Sequence, residues 1–202
     1  MENENQQTDE WFMDKLGRFS ASDAKTIATA GVGLKTLAYR KAIEHILCDR
    51  KETAKTDAME RGNLLEPEAI AKYEEVYGVT VEKVGFLISE GYPEHAGASP
   101  DGLDGEWNLE VKCMEKENHM IAFLYDYVKP EHYAQQMMQM WVDGKRRSRY
   151  VIYNPDLPEV LQFKVIEIEY DEDYVKKIIN GIEKGIKIKQ QGIDMYQNLV
   201  GE

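Results

Sequence analysis

Through the first third of the chain apolar residues recur at helical spacing. Leu37, Ala38, Ala42, Ile43 and Ile46 form a stripe that predicts a helix over about 35–50. Ahead of it, Ser20 or Ser22 is placed to cap a shorter helix that starts near Asp23 and ends at Gly31-Val32-Gly33. Residues 58–70 open a third helix that runs to about Tyr77 and stops at Gly78. Gly62 within it permits close backbone approach to a neighbour. The pattern then changes: 79–88 is rich in β-branched residues and reads as one or two strands. After a loop over 89–94, residues 95–99 read as a short buried strand, which with 107–113 predicts an antiparallel meander. Residues 116–127 read either as a short helix or as a loop facing a substrate. A helix is predicted over 130–141, with Pro130 in its first turn. Strands at 150–153 and 161–168 follow, then a final helix from about Asp171. This order predicts an α/β (α+β) fold, a mixed central sheet flanked by helices, as one domain over 11–202 behind a disordered acidic tail at 1–10.

Composition narrows the class. The chain has 202 residues, 43% hydrophobic and 31% charged, which suits one well-buried core in a soluble globular protein. No apolar run approaches the roughly 18 residues that span a bilayer, and the N-terminus MENENQQTDE is polar, so a cytoplasmic protein without a signal peptide is expected. Cys48 and Cys113 lack CxxC spacing and read as reduced core residues. The net charge of −12 argues against a uniformly basic surface for nucleic acid. It does not exclude DNA as a substrate, because a metal-dependent nuclease needs clustered acids. Arg146, Arg147 and Arg149 form the densest basic cluster. Lys176, Lys177, Lys184, Lys187 and Lys189 on the last helix read as a solvated face.

The stretch with most chemical content is 99–113. Ser99-Pro100-Asp101-Gly102 reads as a turn and Leu109-Glu110-Val111-Lys112-Cys113 as a strand. Side chains on a strand alternate, so Glu110 and Lys112 share one face, with Leu109, Val111 and Cys113 on the other. Asp101, Glu110 and Lys112 together suit a hard cation such as Mg²⁺, with the lysine orienting or deprotonating a water. Read alone, the same residues are also common turn chemistry beside a solvated ion pair. Glu66, next to Leu64 and Leu65, either turns inward toward these acids or lies on the exposed face. Gln135 shares a helical stripe with Met138, Gln139 and Val142. Lys15 and Arg18 near a helix N-terminus make either a phosphate pocket or plain capping with two solvated bases. His95 reads as a surface residue rather than a ligand.

Asp-x(n)-Glu-x-Lys with the preceding Pro is the core of the PD-(D/E)xK nucleases. Four stretches in order extend the likeness: Trp11 … Lys15-x-Gly17 … Ser20-Ala21-Ser22; Arg61-Gly62 … Glu66; Ser99-Pro100-Asp101-Gly102 with Leu109-Glu110-Val111-Lys112-Cys113; and Tyr133-Ala134-Gln135 … Met140-Trp141. The chain from Trp11 to the last helix resembles the phage λ-type alkaline exonucleases, the YqaJ-like viral recombinase nucleases. The resemblance implies that Asp101 and Glu110 are the metal carboxylates, with the Val111 carbonyl as a further ligand. It implies that Lys112 activates the water, that Glu66 completes the second cation's surroundings, and that Gln135 orients lysine and water. Lys15, Ser22 and Ser99 match positions that hold the DNA 5′-phosphate. Two departures stand out. Lys15 replaces an arginine, so phosphate anchoring is weaker or shared with Arg18, and His132 stands where a tyrosine is common.

What the family implies for activity is two-metal hydrolysis, with two Mg²⁺ about 3.5–4 Å apart and Mn²⁺ as a substitute. It implies a 5′→3′ exonuclease on double-stranded DNA ends that releases mononucleotides and leaves 3′ single strands for a single-strand annealing protein. A homotrimeric ring in the bacterial cytoplasm, phage- or prophage-encoded and with no membrane, belongs to the same expectation. An endonuclease of the same superfamily is the alternative enzyme, separated by cutting of closed circles. A non-catalytic DNA-end-binding recombination scaffold is the non-enzymatic one, separated by Lys112→Ala. Two cysteines cannot supply the four ligands of an iron–sulfur nuclease.

Overall fold

The computed structural model describes residues 8–49 and 56–201. Residues 1–7 of the expected tail and the end of the helix expected at 35–50 lie outside the described residues. The Thr8 hydroxyl accepts a hydrogen bond from the Trp11 amide (3.1 Å) and starts helix α1 (Asp9–Lys15), slightly before the expected Trp11. Gly17, at φ 69°, turns the chain into strand β1 (Phe19–Ser20). A 3₁₀ turn at Ala21–Asp23 leads into α2 (Ala24–Thr29). Neither serine caps α2, because Ser20 Oγ is taken up by Ser22 Oγ (2.9 Å) and Asp23 (3.2 Å). Helix α3 (Val32–Leu47) buries Leu34, Leu37, Ala38 and Ala42, but Ile43 is exposed, so the stripe is narrower than its sequence suggests. Cys48 caps α3 in the left-handed region and is exposed, which corrects its placement in the core. Helix α4 (Asp57–Tyr77) is capped by Thr56 and ended by Gly78. A Cβ at Gly62 would meet open space, so this glycine serves no close packing.

The expected meander is instead split between two sheets. Strands β2 (Leu87–Ile88) and β3 (Ala96–Ala98) join β1 in the order β1-β3-β2. Strands β4 (Gly102–Asp104) and β5 (Trp107–Lys112) form a hairpin over Gly105. That hairpin joins β6 (Arg147–Tyr153) and β7 (Phe163–Glu169) in the order β4-β5-β6-β7. Residue 100 is a proline, which has no N–H to continue a ladder, and it falls between β3 and β4. Asp101 therefore sits at the seam between the sheets. Of 79–88 only Leu87–Ile88 pairs as a strand, with Glu82 making an isolated bridge to Leu103.

Helices α5 (Lys116–Tyr125) and α6 (Pro130–Asp143) separate β5 from its parallel neighbour β6 in the chain. The short α7 (Glu159–Gln162) precedes β7, and α8 (Glu172–Val200) ends the fold, capped by Asp171. On one face of the four-stranded sheet, Leu109 and Val111 pack with Ala69, Ile70 and Tyr73 of α4. The other face meets α6, whose Met137, Met138 and Met140 lie in the main core with Phe19, Tyr150 and Ile178. Helix α8 packs on α2 and α3. It does so closely: a Cβ at Gly181 would lie 2.0 Å from the Ile27 carbonyl oxygen. Lys176, Lys177, Lys184 and Lys187 are exposed, but Lys189 is buried and donates to the Gly17 carbonyl (2.8 Å), so it leaves the solvated face. The basic cluster is partnered too: Arg147 pairs with Glu106 and Glu169, and Arg149 with Asp104 and Glu167.

Candidate active site

Alternation along β5 puts Leu109 and Val111 against α4 and turns Glu110 to α6. Glu110 is fully buried. One of its oxygens meets the Lys112 ammonium two residues on, and the other accepts from Gln139 Nε2 at 2.6 Å. At the sheet seam Asp101 Oδ2 accepts from the Val111 amide at 2.7 Å. The carboxylate of one strand end is thus tied to the backbone of the next, and the two acids are held side by side. Residues expected to act together are brought to one cleft of roughly 510 Å³, which Glu66, Asp101, Glu110, Val111, Lys112 and Gln135 all line.

The electrostatics of the cleft are those of too many acids. Burial, then the charges of Glu110 and Glu66, hold the Asp101 carboxyl well above its usual range. Burial and Glu110 likewise raise Glu66. Glu66 lines the same cleft as these acids, although Leu64, two residues before it, is 80% exposed and supplies no inward pull. Burial pushes Lys112 down, but Glu110 and Asp101 outweigh it and the amine ends above the ordinary lysine value. Cys113 also lines the cleft, and burial pushes its thiol up to about 12, so it supplies no thiolate nucleophile. Among the described residues no three His, Cys, Asp or Glu side chains are grouped to hold a metal ion by themselves. The oxygen donors on offer are Asp101 and Glu110 with the main chain at Val111, and Glu66 within electrostatic reach. Hard oxygen donors carrying excess negative charge fit a divalent cation of the Mg²⁺ type.

At the cleft edge, Trp11 Nε1 donates to Ser99 Oγ (3.0 Å), and the Lys15 ammonium stands 4.4 Å from the Trp11 ring centroid. Lys15 and Ser99 thus meet at Trp11, which itself lines the cleft. Ser22 is exposed and bonded to Ser20. Arg18 donates to the carbonyls of Pro93 (2.7 Å) and Asp14 (2.5 Å). His132 lines the cleft with Nδ1 2.6 Å from Tyr150 Oη, and burial with the Lys112 charge brings its pKa down to about 4. His95 is half-buried rather than on the surface.

Sequence reasoning missed Gln139. It stands one helical turn after Gln135, and that i, i+4 relation was the available signal. Among methionines it reads as core filling, and only the placement of Glu110 opposite it reveals the contact.

The chain matches the family described as YqaJ-like viral recombinase domain over residues 10–146. No curated protein matches it. Among solved structures it is similar to LHK-Exo, an alkaline exonuclease from Laribacter hongkongensis, at 27% identity and a TM-score of 0.88, covering 96% of this chain and 98% of that one. The same exonuclease in complex with dAMP matches at 26% identity, the same TM-score and the same coverage. A phage-related exonuclease from Haemophilus somnus 129PT shares the fold at 13% identity and a TM-score of 0.69, over 89% of this chain and 96% of that one.

Proposed function

Because the chain belongs to the YqaJ-like viral recombinase family, we propose that it is a magnesium-dependent 5′→3′ exonuclease of double-stranded DNA, releasing mononucleotides and leaving 3′ single strands for an annealing protein. One observation carries the reading: a buried glutamate held on both oxygens, beside a half-buried aspartate and a lysine that line the same cleft. Asp101, Glu110 and the Val111 carbonyl would hold the cation, with Glu66 facing them. A divalent ion held there would make water more acidic and offset charge on the phosphate, with Mn²⁺ as a substitute for Mg²⁺.

The chain's own groups do the rest. Asp101, fixed by the Val111 amide, and Glu110, fixed by Gln139 and Lys112, give a rigid acidic wall that costs no rearrangement when the scissile phosphate arrives. Lys112 holds the attacking water by hydrogen bond, and it would take the water's proton only where a bound cation offsets the Glu110 and Asp101 charges that keep its amine protonated. Gln135, on the cleft wall, orients that water. Lys15, Ser22 and Ser99 take the 5′-phosphate, and the Lys15 ammonium grips it as a point charge without an arginine's fork. The half-buried, neutral His132 adds no charge beside Lys112.

A linear duplex labelled at either the 5′ or the 3′ end, incubated with and without Mg²⁺, tests this. The 5′ label is expected to leave first as a mononucleotide, only with the ion, and closed circles to stay intact. Cutting of covalently closed circles would move the reading to an endonuclease.

A further inference from the structure

Helix α6 carries three glutamines in three different settings. Gln135 lines the cleft. Gln136 is buried and pairs with Ser148 (2.7 Å) and the His132 carbonyl (3.2 Å). Gln139 is fully buried, and its Nε2 donates to Glu110 Oε2 (2.6 Å) and reaches the Ser99 carbonyl (3.4 Å). The orientation of this amide is fixed by chemistry. Both neighbours of Nε2 are acceptors, so a flipped amide would set three oxygens together. Its own Oε1 is buried and, among the described residues, has no partner.

A buried acceptor without a partner is destabilising, because its lost hydration is not replaced. A methionine of similar length would fill the space without that cost, as Met137, Met138 and Met140 do around it. Gln139 is therefore a poor core residue by itself, and what it supplies is the donor to Glu110. The same nitrogen touches Ser99, two residues before Asp101. It thus links the chain that delivers one acid to the side chain of the other, as the Val111 amide does in the opposite direction. A carboxylate has about four lone-pair sites, so Glu110 can accept from Lys112 and Gln139 and still face a cation.

We propose that Gln139 is a positioning residue that sets the Glu110 carboxylate against Asp101 for divalent-cation binding. This rests on the nuclease reading of the same cleft. The test uses the full chain without DNA, titrated with Mn²⁺ and followed by its EPR signal, comparing parent, Gln139→Met and Gln139→Asn. Loss of a group that orients a metal ligand costs about 10–100-fold in affinity, and both variants are expected to bind Mn²⁺ weaker by about that factor. On linear duplex, kcat is expected to fall and recover toward the parent value at high cation concentration, with KM for DNA unchanged. Thermal melting checks the fold of each variant. Parent-like Mn²⁺ affinity in a folded Gln139→Met overturns the proposal, as does failure of both variants to fold, which would make Gln139 a core residue. If the parent binds Mn²⁺ but digests no duplex, the nuclease reading fails while the EPR comparison still decides the role of Gln139.

Discussion

At the scale of single residues, the acids of the cleft divide by how they are held. Glu110 and Asp101 each have a fixed donor, whereas Glu66 enters through charge and burial. Glu66→Ala is therefore expected to leave the fold intact and lower kcat by about 10–100-fold, with partial recovery at raised Mg²⁺; steady-state digestion of linear duplex at several Mg²⁺ concentrations reads it. A different residue contributes to behaviour in acid. His119 is fully buried, with Nε2 2.7 Å from the Leu161 carbonyl and Nδ1 buried without a partner among the described residues. Burial lowers its pKa below the usual 6.5. The unfolded chain then takes up the proton first as pH falls through 6.5, so stability is lost from there down to the folded-state pKa and is unaffected above it. His119→Gln keeps a donor for Leu161 and is expected to flatten that loss, measured as thermal midpoint against pH. His95 and His132, lowered in the same way, leave a remaining slope.

At the scale of elements, much of the site was legible because strand alternation is a strong rule. Glu110 and Lys112 on one face of β5, and Leu109 and Val111 on the other, follow from period two alone. What could not be read was pairing across the chain. The meander failed because the neighbours of β3 are β1 and β2, the first of them more than seventy residues away in sequence. Buried charge was hidden for a similar reason. Lys41, Glu44 and Lys189 look like surface residues until the Gly17 turn is set between α3 and α8, where Glu44 accepts from the Gly17 amide (3.2 Å) and Lys189 donates to its carbonyl. Gly181 belongs to this scale as well. Alanine has a better helix propensity by about 1 kcal/mol, yet its Cβ would strike the Ile27 backbone of α2. Gly181→Ala is expected to destabilise by about 1–3 kcal/mol, with chemical denaturation as the check.

At the scale of the whole molecule, a net charge of −12 would have to coexist with the polyanionic substrate proposed for it. Three copies arranged as a ring would gather basic groups in a channel and leave the acids outside, and that arrangement is proposed on family grounds. Light scattering is expected to give three times the chain mass, and a monomer at all concentrations would remove the ring. The chemistry proposed for one cleft stands on two neighbouring carboxylates and an amine. The most direct measurement is mononucleotide release from a blunt linear duplex with Mg²⁺, the parent beside Lys112→Ala, with duplex affinity measured in parallel. Release by the parent, a fall of about 10²–10⁴-fold in the variant and unchanged affinity are expected. A variant that digests DNA at the parent rate, or a parent that releases nothing, would contradict the account.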